Sequence, residues 1–568
     1  MPVLLIGDGP AVDAAELMLE DSDVAVTRGS LADLPGADLA IVVGLAGSDG
    51  FETANTQAME SETPWIAVEI GGVGGIPLES VSATVTTFQP GYVCFDCLKS
   101  RVAVAGLEAA EEATADRPAA HLAGSYAALQ AIRAFSGAEV AGVLIEVPYG
   151  ERSVLPVPHC EHAPERDRTL DLDDVDRSLE QAINQAEIAI DDRVGIVPQI
   201  GEHDSFPLPY YLARVTNASG WSDGNPPDRA AGVAPTWDQA FMKALGEALE
   251  RYSGAMYRTD ELQHRPIADL TDPAPQSFAS VTRDQIESIE GTVPTVEGRD
   301  LHASTSTVLP ADLVFYPPPE GRLGQSITTG LGLGNDGVEA VLSGLYETIE
   351  RDATMLAWYS TFEPLGLEVT DPTITEMIER ARGSGLSVTP LLMTQDVDVP
   401  VVGVAVHREE YPKFAMGSAA ALDGEAAVRD ALSEALQNWM ELRELGPDKA
   451  VESGGEIGRY AQDPGPAETL LDPGETVPAA AVGPESVPDG VNELDAVLER
   501  MDAAGLDAYA ASVTPRDVEQ LGFTAVRVLS PSAQPLFVDE PIFGDRAHEA
   551  PEELGFEPRL DRDFHPYP

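Results

Sequence analysis

Residues 334–352, GNDGVEAVLSGLYETIERD, combine the start of a helix with acidic residues beside an apolar stripe. Asp336 is placed to act as the N-cap, and Glu339 three residues later predicts a capping box. Glu339, Glu347 and Glu350 recur at helical spacing near one strip of the helix surface. The neighbouring strip follows the 3.6-residue period of a buried face, with Val338, Val341, Leu342, Leu345 and Ile349. The pattern predicts a core helix whose carboxylates serve as ligands.

Two other segments, GEALER at 246–251 and SEALQN at 433–438, repeat the motif YETIER at 346–351. Thr236 with Gln239 predicts a capping box for the first of these helices, and Asp423 predicts an N-cap for the third. Each motif sets two side chains at i, i+3 on one helix face: Glu247 and Glu250, Glu347 and Glu350, Glu434 and Gln437.

Closely spaced carboxylates repel one another unless a cation lies between them. Mg²⁺ prefers oxygen ligands and usually keeps waters and phosphate oxygens in its shell. Helices that carry such pairs next to Arg251 and Arg351 therefore suit a Mg²⁺–triphosphate. The alternative is that all three motifs are solvated faces in an acid-rich chain.

The charge balance is the most unusual feature of the composition. The 568 residues include 96 acidic and 34 basic side chains, a net charge of −62, and the acids are spread along the whole chain. Such a diffuse acidic surface with few lysines is typical of proteins adapted to high salt, as in haloarchaea. An acidic surface for a basic partner is the alternative, whereas nucleic acid is excluded as a partner because no basic stripe is present.

The chain shows no signal for a membrane or for secretion. Apolar runs stay below the roughly 20 residues that a membrane-spanning helix needs. The opening MPVLLIGDGP lacks the features of a secretory signal, and three cysteines do not form a disulfide framework. We therefore expect a soluble, cytoplasmic protein.

The length predicts two or three domains, of α/β and α+β class. Strand-like runs alternate with helix-like runs over residues 1–165, which predicts a Rossmann-like parallel α/β domain. Its turn Gly7-Asp8-Gly9-Pro10 is a weak nucleotide signal, because the third glycine of the fingerprint is missing. An acidic linker at 166–180 is expected to lead into a larger domain at 181–568, with a Gly/Pro-rich surface insertion near 445–490 and a Pro-rich tail.

The segments GEALERYS, TTGLGLGNDGVEAVLSGLYETIERDA and AVRDALSEALQNWM resemble, in order and spacing, the three ATP/Mg²⁺-binding segments of the YcaO family. The resemblance extends over about 175–568. It departs from the family at RAAGVAPTWD, which lacks the Gly-Lys-Gly often found before the first helix. The resemblance implies metal-binding roles for Glu247, Glu250, Glu347 and Glu350. It implies nucleotide contacts for Asn335, Glu339, Arg351, Glu434 and Gln437.

The resemblance also implies a reaction. Family members use ATP to activate the oxygen of a peptide amide, which yields azolines from Cys, Ser or Thr in modified peptides of the bacteriocin type, or thioamides from external sulfide. Arg351 would stabilise the developing charge, and the ending His565-Pro566-Tyr567-Pro568 is half of the proline-rich tail that supports catalysis in azoline-forming members. Two alternatives stay open: a non-catalytic ATP-binding protein that presents a client, and an acyl-adenylate-forming enzyme.

Cys94-Phe95-Asp96-Cys97 and the later Cys160 and His162 form a second candidate site. A CxxC pair with a distant Cys and His suits structural Zn²⁺, and a redox pair or plain buried cysteines are the alternatives. The stretch PGYVCFDCLKSR resembles the adenylating-enzyme-like partner domain of azoline synthetases, which holds a four-cysteine zinc. His162, or else His159, would replace the missing cysteine. The expected partners are a peptide or protein substrate, a sulfur-delivery or leader-peptide-binding protein, and a second copy in a homodimer.

Overall fold

The fold was analysed in a computed structural model, which describes residues 2–114, 117–148, 150–164, 167–325, 327–453, 455–538 and 540–567. Pro568, one of the predicted tail residues, lies outside the described residues. Within these ranges no helix is both long enough and apolar enough to cross a membrane.

The N-terminal region is a seven-stranded sheet flanked by four helices. The strand order is β2-β1-β3-β4-β7-β8-β9, and β5 and β6 form a separate short ribbon. Its elements are β1 (Val3–Ile6), α1 (Pro10–Asp21), β2 (Val26–Gly29), β3 (Leu39–Leu45), α2 (Gly50–Ser61), β4 (Trp65–Ile70), β5 (Gly72–Val73), β6 (Ile76–Pro77), β7 (Ala83–Phe88), α3 (Phe95–Val104), α4 (Arg117–Phe135), β8 (Val143–Val147) and β9 (Gly150–Ser153).

The prediction of a parallel sheet holds for only half of this region. Strands β1 to β4 pair in parallel, whereas β4, β7, β8 and β9 pair antiparallel. The helical crossover that a parallel neighbour requires is absent between β4 and β7, where the chain turns back through the short β5–β6 ribbon. The alternation of strand and helix patterns ends at β4, so the sequence pattern applied only to the first half.

The described residues of the remaining chain form three further sheets: β10-β11-β12, then β13-β14-β22-β23-β16 with β15 beside β14, and β20-β19-β18-β17-β21. Its helices are α5 (Leu179–Ala186), α6 (Trp237–Gly254), α7 (Arg283–Ser288), α8 (Ala311–Val314), α9 (Gly337–Trp358), α10 (Pro372–Gly383), α11 (Gly424–Ser453), α12 (Gly455–Gln462), α13 (Gly490–Ala503), α14 (Arg516–Gln520) and α15 (Arg546–Leu554). Its strands are β10 (Gln199–Asp204), β11 (Tyr210–Arg214), β12 (Arg229–Val233), β13 (Gln263–Pro266), β14 (Thr292–Asp300), β15 (Thr305–Pro310), β16 (Leu331–Gly334), β17 (Leu365–Glu368), β18 (Ser387–Leu392), β19 (Val401–His407), β20 (Phe414–Ala420), β21 (Thr476–Pro478), β22 (Tyr509–Ser512) and β23 (Thr524–Leu529).

Helix α9, predicted from residues 334–352, is the centre of this part of the chain. Val338, Val341, Leu345 and Ile349 are buried in one core with the strands of two sheets. Asp336 accepts a hydrogen bond from the Glu339 amide at 2.8 Å, which confirms the predicted N-cap. These features and the four sheets confirm the predicted mixed α/β class.

Two stretches predicted to be irregular pack against the core. In the acidic stretch at 166–180, Leu170 is buried and the Val175 amide donates to Asp336 at 2.7 Å, so this stretch lies along the first turn of α9. The Gly/Pro-rich stretch at 445–490 contains α12 and the strand β21, and Tyr460 is buried in the core. The composition of these stretches did not predict their packing, because only a few buried residues anchor each stretch to the core.

Candidate functional site

Three copies of one strand–helix unit surround one large cavity: β12 with α6, β16 with α9, and β20 with α11. Each strand carries a glycine where the helix backbone passes closest. A Cβ atom at Gly232 would lie 2.3 Å from the Ala244 nitrogen, and one at Gly332 would lie 2.2 Å from the Ala340 oxygen. Gly417 has the same relation to α11, so each unit depends on the close approach that glycine allows.

The same three units orient the first glutamate of each motif. The Ala231 amide donates to Glu247 at 2.5 Å, the Gly330 amide donates to Glu347 at 2.9 Å, and the Ser418 amide donates to Glu434 at 2.6 Å. In each unit a backbone amide of the strand, or of the residue just before it, therefore holds the carboxylate of its own helix toward the cavity. The helical period predicted that the acids share a helix face. Only the structure shows which backbone amides hold their carboxylates in place.

The second glutamates are more deeply placed. Burial, followed by the nearby Glu347 and Glu247 carboxylates, raises the pKa of Glu250 to about 8. Burial also raises the pKa of Glu350 to about 7, although Arg351 and a 2.7 Å hydrogen bond from the Ser418 hydroxyl both act to lower it. The repulsion between these neighbouring carboxylates is relieved when a cation binds among them.

Gln437 occupies the corresponding position in the third unit. It lines the same cavity, but its side-chain amide donates to Glu441 at 3.1 Å, and Tyr210 donates to the same oxygen at 3.1 Å. Gln437 is thus turned along α11 toward Glu441. The cluster of acids is formed by Glu247, Glu250, Glu347, Glu350 and Glu434.

Two arginines lie against this cluster. The Arg351 guanidinium lies 3.3 Å from Glu350 and 3.9 Å from both Glu347 and Glu434, and these carboxylates raise its pKa. Arg527 on β23 is buried and donates to the carbonyl oxygens of Leu313, Ile327 and Thr328. Its pKa is lowered to about 10 by burial, while Glu347 and Glu250 act to raise it. No sequence motif pointed to Arg527, although it is the single charged residue in the apolar run FTAVRVL.

The N-terminal end of α9 forms the opposite wall of the cavity. Glu339 accepts hydrogen bonds from the Asn335 amide at 2.9 Å and from its side chain at 2.8 Å. The predicted capping box is therefore only half formed, because Glu339 binds Asn335 instead of the Asp336 amide. Arg177 donates to Asn335 at 3.3 Å and to the Gly522 oxygen at 2.8 Å. Arg177 was missed because it lies in the stretch interpreted as a linker.

These walls enclose a cavity of about 1610 Å³. A pocket for one small ligand usually measures about 300–1,000 Å³, so this cavity has room for a nucleotide and part of a second substrate. The cluster fits Mg²⁺, because carboxylates at the base of the cavity supply hard oxygen donors and Glu250 has no hydrogen bond among the described residues.

The C-terminal tail packs against Phe537, within electrostatic range of Glu350 and Arg351. Pro566 and Tyr567 are buried, and the Glu350 carboxylate contributes to a raised pKa of Tyr567. His565 lies 2.8 Å through Nε2 from the Phe537 oxygen, and burial lowers its pKa to about 4. Close packing therefore holds the tail in the core, near the predicted site.

The three thiols lie together about the start of α3. The Cys94 sulfur is 3.6 Å from that of Cys97, 3.5 Å from that of Cys160, and 3.7 Å from Nδ1 of His162. The three thiols form one group, and Cys94, Asp96 and His162 form an adjoining one. His159 pairs instead with Glu261 at 2.9 Å. Sulfur separations of this size suit a tetrahedral Zn²⁺ with Zn–S bonds of about 2.3 Å, so the donor set fits this metal.

Comparisons with known proteins identify the fold and the family. Two solved structures share the fold of nearly the whole chain: a heterocyclase in complex with substrate and cofactor (TM-score 0.72, 19% identity, 98% of this chain and 83% of that chain) and the heterocyclase TruD (TM-score 0.65, 19% identity, 98% and 82%). An uncharacterised protein of Methanothermobacter thermautotrophicus is 32% identical over 225 residues, 37% of this chain. That match spans 56% of the relative's own length. The family model described as YcaO cyclodehydratase, ATP- and Mg²⁺-binding, matches residues 231–534, more than half of the chain, and the chain therefore belongs to the YcaO family.

Proposed function

We propose that this protein uses ATP to form azoline rings in a peptide, by activating the backbone amide that precedes a Cys, Ser or Thr. The observation that carries the proposal is the cluster of five glutamates with Arg351 at the base of the large cavity. In the reaction, the side-chain nucleophile adds to the amide carbonyl, and the resulting oxyanion takes the γ-phosphoryl group of ATP. Phosphate then leaves with the former amide oxygen, and ADP is the second product.

The cluster residues have distinct proposed roles. Glu247, Glu250, Glu347 and Glu350 bind Mg²⁺, with Glu434 as a further oxygen donor, and Mg²⁺ neutralises the phosphate charge when bound. Arg351 stabilises the negative charge that develops on the transferred phosphoryl group. Asn335, Glu339 and Gln437 contact the nucleotide, and Arg177 supports Asn335 from the preceding stretch.

The position of the tail favours azoline formation over thioamidation from external sulfide. Pro566 and Tyr567 are buried, and Tyr567 lies within electrostatic range of Glu350, one of the carboxylates proposed to bind Mg²⁺. We propose that the tail, through Pro566, keeps water from this site and orients the amide. The two products differ in mass, since a ring loses water whereas a thioamide exchanges oxygen for sulfur.

The first test is Mg²⁺-dependent ATP binding by calorimetry in molar KCl. We expect Glu347→Gln/Glu350→Gln to weaken binding at least about 100-fold, because the variant removes two charges that face the metal. Glu376→Gln, an exposed position on α10, is the matched control and should bind ATP normally. Equal binding by wild type and the double variant would refute the assignment of the site.

The second test separates activity from binding. Candidate peptides with Cys, Ser or Thr are incubated with ATP, and both phosphate release and peptide mass are followed. Peptide-dependent loss of water supports the proposal, and oxygen-to-sulfur exchange with sulfide supports a thioamide synthetase. ATP binding without any peptide modification would favour a protein that only presents a client.

We also propose that residues 1–165 form an adenylating-enzyme-like domain with structural Zn²⁺, which presents the peptide to a catalytic domain at 181–568. Three thiols and His162 provide the ligands, and the neighbouring Asp96 lies 3.4 Å from His162. We expect about one zinc per chain in wild type and loss of that zinc in Cys97→Ser, measured by elemental analysis. Unchanged zinc content in Cys97→Ser, or none in wild type, would count against this site.

A further inference from the structure

Residues 534–538, which follow strand β23, form part of the boundary of the large cavity. Leu536 and Val538 both line the cavity, whereas Phe537 between them is fully buried. The two side chains share the cavity side, as alternate residues of an extended chain do. Val538 is 60% exposed, so water covers an aliphatic side chain at this point. We refer to Leu536 and Val538 as the apolar wall.

Two sets of contacts fix the apolar wall in place. The Gln534 amide donates to Asp352 at 2.7 Å, and Arg546 holds the same carboxylate through hydrogen bonds of 2.8 and 2.9 Å. His565 lies 2.8 Å through Nε2 from the Phe537 oxygen. The Phe537 ring lies 5.2 to 5.6 Å from four aromatic rings, those of Tyr359, Phe543, Phe564 and His565. The apolar wall is therefore anchored on both sides of Leu536.

The apolar wall lies near the phosphate end of the proposed nucleotide site. Asp352 directly follows Arg351 on α9, whereas Glu339, a proposed nucleotide contact, lies in the first turn of that helix. Glu339 and Asp352 are separated by about 20 Å along the helix axis, at 1.5 Å per residue. Val538 lies within about 14 Å of the amide that donates to Asp352, because four residues of chain reach no further. A peptide amide that receives the γ-phosphoryl group must lie at this end of the site.

The surroundings of the apolar wall favour one kind of side chain. The glutamates of the cluster, together with the phosphates of bound ATP, repel an acidic side chain. Leucine and valine side chains offer neither a donor nor an acceptor to a polar one. An aliphatic side chain that covers Val538 removes apolar area of both groups from water, which is favourable.

We propose that the apolar wall receives the side chain of the residue that precedes the modified Cys, Ser or Thr, and selects an aliphatic residue there. This inference rests on the proposed function and names its substrate class, peptides in which an aliphatic residue supplies the activated carbonyl. The side chain of that residue is attached next to the reacting carbonyl carbon. Its contact with a fixed wall therefore also orients the amide toward the γ-phosphate.

The test is the capture of peptides by the full chain in the presence of Mg²⁺ and AMPPCP, an ATP analogue that cannot transfer its γ-phosphoryl group. The probe is a pool of short synthetic peptides with one Cys, in which the residue before the Cys is varied. Mass spectrometry compares the retained peptides with the starting pool. We expect Leu, Ile, Val and Met to be enriched at least about tenfold over Asp and Glu.

Variants of Val538 connect the enrichment to the apolar wall. Val538→Asn keeps the size and charge of the site but makes it polar, and should lower the enrichment at least about fivefold. Val538→Ile should preserve it. Val487→Asn, at an exposed valine that does not line the cavity, is the matched control and should also preserve it. Calorimetry should show unchanged binding of ATP with Mg²⁺ in Val538→Asn, and thermal melts check that each variant folds.

Each outcome decides the proposal. No retained peptide, a retained pool without aliphatic enrichment, or an enrichment unchanged in Val538→Asn would overturn it. Weaker ATP binding in Val538→Asn would also overturn it, because the apolar wall would then belong to the nucleotide site. The proposed function is tested separately, by replacing AMPPCP with ATP and following the loss of water from the retained peptides. Enriched peptides that keep their mass would refute azoline formation and leave the apolar wall as a peptide-binding site.

Discussion

Glu69 in the N-terminal region and Glu250 in the large cavity are both carboxylates withdrawn from water, yet their surroundings differ. Glu69 accepts hydrogen bonds from the Gly74 amide at 2.8 Å and the Gly75 amide at 2.7 Å, and its pKa is raised to about 7. Glu250 faces Glu347 and Glu247, and its pKa is raised to about 8. The protein itself supplies hydrogen-bond donors to the Glu69 carboxylate. The Glu250 carboxylate instead needs a bound cation to balance the negative charge around it.

The buried cation Arg101, outside the cavity, is also balanced by groups of the protein itself. Arg101 on α3 donates to Asp517 at 2.7 Å and to the carbonyl oxygens of Leu155 and Pro156, both at 2.7 Å. Tyr252 of α6 donates to the same Asp517 oxygen at 2.7 Å. This group links the region of the thiols to the helix that carries Glu250, and its charges are balanced within the protein. Removing Arg101 or Asp517 should therefore lower the stability of the fold. Removing one carboxylate of the cavity should instead relieve the repulsion between the acids.

The largest effect is expected at Arg101. Arg101→Leu leaves the Asp517 carboxylate buried without its cation, and we expect a loss of about 3–5 kcal/mol in the free energy of unfolding. Denaturant unfolding in molar KCl measures it. The double variant Arg101→Leu/Asp517→Leu should recover part of the loss, and a single variant as stable as wild type would contradict the role of this pair.

A smaller effect of opposite sign is expected at Glu250. Its pKa in the folded state is about 8, against an ordinary value of 4.5. Between these two pH values the folded protein therefore holds a proton that the unfolded chain has released. Its contribution to stability is full below pH 4.5 and is lost as the pH rises to about 8. Glu250→Gln removes this loss, and should stabilise the ligand-free protein by about 2 kcal/mol above pH 8.

The measurement is thermal or denaturant unfolding at several pH values without ATP or Mg²⁺. The difference between variant and wild type should grow as the pH rises and then level off. Glu69→Gln is the comparison variant, and it should destabilise the protein because the new NH₂ group cannot accept the hydrogen bond of one of the two buried backbone amides. If Glu250→Gln were also destabilising at high pH, the contrast between the two regions would fail.

The smallest effect is expected at Ser418, which bridges two units of the cavity. Its amide donates to Glu434 and its hydroxyl donates to Glu350 at 2.7 Å. Ser418→Ala should weaken binding of ATP with Mg²⁺ about tenfold, and Ser418→Thr should restore it. Ser433→Ala is the control, since that buried hydroxyl bonds to the Arg429 oxygen of its own helix. Calorimetry that shows no change in Ser418→Ala would assign the hydroxyl a structural role only.

Local features of the sequence predicted the helices that carry the site. The N-caps at Thr236, Asp336 and Asp423 are confirmed, because a cap depends on residues within one helical turn. The capping box predicted from Thr236 and Gln239 is only half formed, since the Gln239 side chain accepts from the Thr236 hydroxyl instead of the Thr236 amide. The pairing of acids at i, i+3 is equally local, since helix geometry alone places them on one face. The capping-box prediction was wrong at Glu339, because its carboxylate accepts hydrogen bonds from Asn335 instead of from the Asp336 amide.

The sequence by itself determined which helices carry carboxylates and which positions face the core, because both follow from a fixed period of 3.6 residues. Only the tertiary structure decided that the three units meet around one cavity, that Arg177 and Arg527 join them, and that β7 to β9 run antiparallel. These outcomes depend on contacts between residues far apart in the chain, such as Arg101 with Asp517, and no local pattern of residues encodes such a pairing.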